Sequence, residues 1–291
     1  MVQLHLSGLH SNPRMIALRM QTARPLGLAV LLCVSLFSTG CAQRGMFEEP
    51  IEFISRLASQ SGWSATRYRG GDFSILTFSP AVSPAVTGNE KTLNIYIEGD
   101  GYSWADRYTL ASDPSPHNPV SLLLAFKDPG DAVYLARPCQ YLSPDELANC
   151  SPVFWSSARY APEVLASLGE VIDKVKKQRK STNIRLHGYS GGGVVAALLA
   201  ARRADVVELI TDAAPLDIKA WTALHGLSPL RYSLNPADEM DVLRSIPQIH
   251  YVGGKDTEVP PILLHDFVKR LKAGEKAKVV VVGDADHSCC W

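Results

Sequence analysis

From residue 73 onward the chain alternates short apolar runs with longer stretches whose apolar residues recur every three or four positions. The runs Phe73–Phe78, Leu93–Ile97, Ala132–Ala136, Asn183–His187, Val207–Thr211, Gln248–Val252 and Lys278–Val282 predict strands. Several are continuous rather than alternating, as in Lys278–Val282 (KVVVV). A strand with one wet face alternates, whereas a continuous run is covered on both faces. Helices are predicted over Val120–Phe126, Ala161–Lys180, Gly192–Arg203 and Pro261–Ala273, with an amphipathic stretch near Ile51–Ser61. Pro80–Gly88 (PAVSPAVTG) predicts a loop. Strand and helix in alternation imply a mainly parallel sheet between helices, a doubly wound α/β domain.

The N-terminal region follows a different pattern. Pro25–Phe37 carries no charge and follows Arg14, Arg19 and Arg24. The run is too short for a membrane span, which needs about 20 apolar residues, but it suits a secretory signal. Ser38-Thr39-Gly40-Cys41 resembles the lipobox of bacterial lipoproteins, departing from it at Ser38, where Leu is usual. That resemblance implies a signal over residues 1–40, a lipid on Cys41 and a single mature domain over 41–291. It also implies an exported protein, held at a membrane of the bacterial cell envelope and facing the periplasm.

Export changes how cysteine and charge are read. Cys139 and Cys150 flank a short loop and are expected to pair in an oxidising compartment. Cys289 and Cys290 are adjacent and are expected as two free thiols. The 29 basic residues balance the 29 acidic ones, and removing the three N-terminal arginines leaves 26 against 29. Nothing in that balance suggests a nucleic-acid partner, and the basic cluster Lys176–Lys180 reads as a solvated helix end. No Cys-x-x-Cys or His-Glu-x-x-His occurs, and no dinucleotide or phosphate loop is complete, so no metal or cofactor is expected.

The chemistry gathers at strand ends. Gly188-Tyr189-Ser190-Gly191-Gly192 lies between a predicted strand and a predicted helix. In that context G-x-S-x-G exposes a serine hydroxyl at a sharp turn beside the free N–H groups of a helix start. A serine needs a general base to become nucleophilic. Asp256 follows the strand Gln248–Val252 and His287 follows Lys278–Val282, in the order acid then histidine. Asp212 and Asp217, after another strand, are the alternative acids, and Asp284 and Asp286 lie nearer His287 in sequence. His187, inside a buried strand, reads as a hydrogen-bonded core histidine. Trp104, Trp155 and Trp221 are candidates for an acyl pocket, with core packing as the default.

The elbow GYSGGG, the loop Glu98-Gly99-Asp100-Gly101 and the segment GGKDTEVPP together resemble the α/β-hydrolase family, in particular its bacterial exported members. The resemblance covers Phe47–Trp291. It implies Ser190 as nucleophile, His287 as base and Asp256 as its orienting acid, acting through an acyl-enzyme. The oxyanion hole would use the amide of Gly191 and a second from the loop after LNIYI, Asp100 first and Gly99 as competitor. That loop carries Glu98 and Asp100 where the family often has His and Gly, and a carboxylate near an oxyanion must find a partner or turn away. The segment between Ala214 and Gln248 implies a short cap and an open site. The expected reaction is hydrolysis of a carboxylic ester from a small-molecule or lipid-like acyl substrate. An acyltransferase or thioesterase with the same triad, or a silent binding protein on the same fold, are the alternatives.

Overall fold

The apolar runs assemble into one eight-stranded sheet in a computed structural model that describes residues 48–81 and 91–291. In chain order the strands are β1 (Trp63–Gly70), β2 (Phe73–Pro80), β3 (Thr92–Ile97), β4 (Ala132–Leu135), β5 (Asn183–Tyr189), β6 (Val206–Asp212), β7 (Gln248–Gly253) and β8 (Ala277–Val282). Their spatial order is β1-β2-β4-β3-β5-β6-β7-β8. All neighbours from β4 to β8 pair in parallel, while β1 and β2 form an antiparallel hairpin at one edge. The predicted mainly parallel α/β sheet is therefore present. β1 is the strand that the apolar pattern does not foretell. Its sequence WSATRYRG is polar and mostly exposed, because an edge strand need not be covered.

The helices are α1 (Pro50–Gln60), α2 (Val120–Ala125), α3 (Pro144–Leu147), α4 (Pro162–Arg179), α5 (Gly191–Ala200), α6 (Ile218–Leu224), α7 (Met240–Leu243) and α8 (Pro261–Leu271). In α4, Val164, Leu165, Leu168, Val171, Ile172 and Val175 recur at helical spacing and are buried, while Lys176, Lys177 and Arg179 crowd the last turn. Helix α5 is buried all round, and its small residues let it lie close to the sheet. These side chains share one core with Leu93, Ile95, Leu186 and Leu209 of the central strands. Each large apolar side chain so buried contributes about 1.5–3 kcal/mol.

Cys139 is joined to Cys150, with Cα atoms 5.8 Å apart. The sulfurs of Cys289 and Cys290 are also bonded, where two thiols were expected; the terminal turn, with Cys290 at φ 76°, brings them together. The expected cap is present as α6, α7 and the turns between them. Among the described residues no helix is long and apolar enough to cross a membrane. The signal over residues 1–40, Cys41 and most of the Pro80–Gly88 loop lie outside the described residues.

Candidate active site

The parallel strands all point their C-terminal ends to one side, and that is where a doubly wound sheet leaves a crevice. Ser190 stands there, between β5 and α5, at φ 50° and ψ −124°. A non-glycine residue at positive φ stores strain that the surroundings must hold in place. Here the Ser190 amide donates to the carbonyl of Asp212 at 2.7 Å. The glycines around it are required by contact. A Cβ on Gly188 would lie 2.3 Å from the Gly192 carbonyl oxygen, and one on Gly192 would lie 2.2 Å from that of Ile97.

The Ser190 hydroxyl lies 3.1 Å from Nε2 of His287. Nδ1 of His287 lies 2.9 Å from Oδ2 of Asp256. The carboxylate accepts only, so Nδ1 carries the proton and Nε2 presents its lone pair to the serine when the ring is neutral. Asp256 is buried, and its other oxygen accepts the amides of Glu258 at 2.9 Å and Val259 at 2.8 Å. Burial alone would lower the His287 pKa. The hydrogen bond to Asp256 and the charges of Asp256 and Glu258 outweigh it, so the pKa is raised. The loop that carries the ring is tied down as well: the His287 carbonyl accepts the Tyr189 hydroxyl at 2.5 Å and the Trp291 indole at 3.3 Å.

The other expected acids lie elsewhere. The Asp212 carboxyl sits in a separate cavity with Tyr96 and Tyr251, and burial pushes its pKa up to about 7. Asp217 caps α6 and pairs with Arg270, Asp284 pairs with Lys255, and Asp286 accepts the amides of Ser288 and Cys289. His187 is stacked on Tyr96 at 4.2 Å, and burial lowers its pKa to about 4; its Nε2 has no hydrogen-bond partner among the described residues, where a hydrogen-bonded core histidine was expected.

Gly191 opens α5, so its amide has no carbonyl one turn back to bond. The loop after β3 comes beside it: a Cβ on Gly191 would lie 2.1 Å from Oδ1 of Asp100. Gly99 and Asp100 differ in what their amides do. The Gly99 amide donates to Oε1 of its neighbour Glu98 at 2.9 Å, which removes Gly99 as an oxyanion donor. Glu98 is wholly buried, and desolvation raises its carboxyl to about 7 despite the bond from Gly99. The Asp100 amide donates to no protein acceptor among the described residues.

The Asp100 carboxylate stays in the crevice wall, beside Gly191, and finds its partners there. Arg137 Nη1 donates to it at 3.1 Å, Arg159 Nη1 at 2.8 Å and the Tyr160 hydroxyl at 2.6 Å. Burial alone would raise its pKa, but the two guanidinium groups and Tyr160 hold it below the usual carboxylate value. Sequence reasoning missed Arg137, Arg159 and Tyr160. They come from loops with no periodicity, and the one available hint was that Asp100 needed a partner.

A cavity of about 530 Å³ opens above Ser190. Tyr102, Trp104, Tyr189, Trp221, Glu258 and His117 stand in its walls. Trp104 and Trp221 thus face the cavity, while Trp155 is buried and lines a different one, beside α1. The cap holds the acid loop in place: Trp221 Nε1 donates to the Glu258 carbonyl at 2.8 Å, and His225 Nε2 lies 2.8 Å from the same oxygen. Among the described residues no group of three or more His, Cys, Asp or Glu is arranged to hold a metal ion.

Sheet order, helix placement and the strained serine turn define the α/β-hydrolase fold, and solved structures carry the same one. An acylaminoacyl peptidase from Pyrococcus horikoshii superposes with a TM-score of 0.55 at 12% identity, covering 80% of this chain and 39% of that one. The chain thus spans well under half the length of that peptidase. An esterase from Pyrococcus furiosus gives a TM-score of 0.54 at 15% identity, covering 79% of this chain and 84% of that one. An α/β serine hydrolase without a lid, from Xanthomonas campestris, gives 0.50 at 18% identity, covering 77% and 85%. No family model and no curated protein matches the chain.

Proposed function

We propose that the chain is a serine hydrolase that cleaves small to medium carboxylic esters through an acyl-enzyme. One observation carries the reading: the unbroken line of hydrogen bonds from the Ser190 hydroxyl through His287 to Asp256. In the first half-reaction Ser190 Oγ attacks the ester carbonyl carbon while Nε2 of His287 takes its proton. The carbonyl oxygen becomes an oxyanion, which the amides of Gly191 and Asp100 stabilise. Asp256 stabilises the imidazolium that forms. The intermediate collapses, the C–O bond to the alcohol breaks, and His287 returns the proton to the leaving oxygen. Water then repeats the sequence on the acyl-serine and frees the acid.

The cavity size and its aromatic walls support a compact acyl or alkyl group as cargo. Turnover of p-nitrophenyl esters from acetate to laurate tests the reading. The highest kcat/KM is expected at the short to middle chain lengths. Ser190→Ala is expected to lose about 10⁴-fold or more in kcat. An alanine variant as active as the parent chain would exclude Ser190.

We also propose that the enzyme is exported and anchored through lipid on Cys41. The basic, apolar and small-residue sequence before Cys41 supports this. Mass spectrometry of protein from a membrane fraction should find a lipid-modified Cys41 at the N-terminus. An unmodified Cys41 there would contradict the anchor.

A further inference from the structure

The Asp100 N–H and the Gly99 carbonyl belong to the same peptide unit. That unit is planar, and in its trans form the two bonds point in opposite directions. Whatever holds the Gly99 oxygen therefore aims the Asp100 N–H. The group that holds it is Gln140, whose Nε2 donates to the Gly99 oxygen at 2.9 Å. Gln140 is 1% exposed, and both ends of its carboxamide are used. Its Oε1 accepts the Arg137 amide at 3.0 Å, and Arg137 in turn donates its Nη1 to the Asp100 carboxylate. Asp100, Arg137, Gln140 and Gly99 thus form a closed ring of bonds around one peptide unit.

Two features separate this ring from ordinary loop packing. The first is what it is attached to. Glu98 holds the Gly99 amide, so the peptide units before and after Gly99 are each bonded to a buried side chain. The second is its stiffness. Gln140 lies between Cys139 at φ 68° and Tyr141 at φ 57°, two non-glycine residues in the left-handed region, and Cys139 is bonded to Cys150. Backbone of that kind persists only where the surroundings over-determine it, and such places cluster at functional sites. The Tyr141 amide also donates to the Ser115 hydroxyl at 2.6 Å, and Arg137 Nη2 donates to the Arg159 carbonyl.

We propose that Gln140 is a positioning residue for the reaction: through the Gly99–Asp100 peptide it aims the Asp100 N–H at the oxyanion, with the Arg137–Asp100 pair and the Cys139–Cys150 bond holding it in place. The inference rests on the serine-hydrolase reading above. A donor already aimed costs no reorganisation when charge develops, which is where oxyanion stabilisation gains its effect. The arrangement also resolves the presence of a carboxylate beside an oxyanion site. Asp100 is outweighed by two guanidinium groups, so the buried cluster carries a net positive charge next to the developing negative one.

Gln140→Glu tests this with almost no change of shape. When ionised, the new carboxylate still accepts the Arg137 amide but cannot donate to the Gly99 oxygen. Burial raises a carboxyl pKa and the protonated acid can donate, so the rates are compared on the alkaline side of the pH profile. With p-nitrophenyl acetate, kcat is expected to fall by about 10²–10³-fold, the effect of losing one oxyanion donor, while KM changes by less than about threefold. The affinity of a boronic acid, which forms a tetrahedral adduct on serine, should fall in proportion to kcat/KM. A merely structural role would lower the melting temperature without that proportionality. If Gln140→Glu does not fold, Gln140→Met, which has no donor in any protonation state, carries the same test with the same proportional loss expected. Unchanged kcat and boronate affinity in the folded variant would overturn the positioning role and leave the hydrolase reading standing. A parent protein with no ester turnover and no boronate binding would overturn both.

Discussion

Asp256→Asn is expected to lower kcat by about 10⁴-fold while leaving the fold intact. The reason lies in which oxygen of Asp256 is already spoken for. Oδ1 accepts two backbone amides, from Glu258 and Val259, so the asparagine carbonyl oxygen must take that place. The NH₂ group then faces Nδ1 of His287, where Oδ2 was. Nδ1 must accept rather than donate, the ring proton moves to Nε2, and the lone pair aimed at Ser190 disappears. The wrong tautomer is held in the right geometry, which is why the loss is large and KM changes little. The pH profile should report the same change. In the parent chain kcat/KM rises with pH as the imidazole loses its proton, through a pKa above the ordinary histidine value of 6.5. Without the carboxylate that raises it, the midpoint should move to lower pH. A steady-state profile of the folded variant checks both, and a variant within tenfold of the parent would show that Asp256 does not orient the base.

Gly192→Ala is expected to damage stability and activity together. The new methyl carbon would lie 2.2 Å from the Ile97 carbonyl oxygen, 2.5 Å from that of Glu98 and 2.8 Å from the Glu98 carbonyl carbon. All three are backbone atoms near the end of β3, so no side chain can swing aside to relieve the clash. The strand end and the serine turn must separate, at a cost of about 3 kcal/mol or more. Their separation also moves the Asp100 amide away from Ser190, so kcat should fall by more than about 10²-fold even in the fraction that folds. Thermal melting and turnover of the same preparation measure the two effects. Gly62 makes a control, since a Cβ there meets nothing within 4 Å, although its φ of 74° carries a cost of its own.

Much of this architecture could be read from the residues because burial imposes a pattern. β3 to β7 are covered or partly covered strands and read as apolar runs. β8 reads as one too, yet it is the second edge strand and none of its residues is buried, so its continuous run is not covered on both faces as expected. α4 reads as a stripe at helical spacing, and α5 as a run of small apolar residues after three glycines. β1 could not be read, because its sequence WSATRYRG is polar and mostly exposed. The serine turn was legible for a related reason: close approach of backbones excludes side chains, and that exclusion is written as Gly188 and Gly192.

The support beneath the site was not legible. Arg137, Gln140, Arg159 and Tyr160 belong to two loops, and they meet Asp100 or Gly99 from 37 to 60 residues away. Neither spacing nor periodicity links residues of that kind. Physical reasoning could state only that a carboxylate in that position must turn away or find a partner; Arg137, Arg159 and Tyr160 are those partners. Position in the loop placed Asp100 ahead of Gly99 as the second donor, but it did not supply the physical reason, which is that the Glu98 side chain occupies the Gly99 amide.

The central claim is that Ser190 is a nucleophile activated by His287. A fluorophosphonate reacts covalently with an activated serine and not with ordinary surface hydroxyls, so it tests that claim without any assumption about the natural substrate. Incubating the folded chain with the probe and mapping the adduct by mass spectrometry should place one phosphonyl group on Ser190. Labelling should be absent in Ser190→Ala and strongly slowed in His287→Ala. Folded protein that takes up no probe, or the same labelling in Ser190→Ala, would contradict the account.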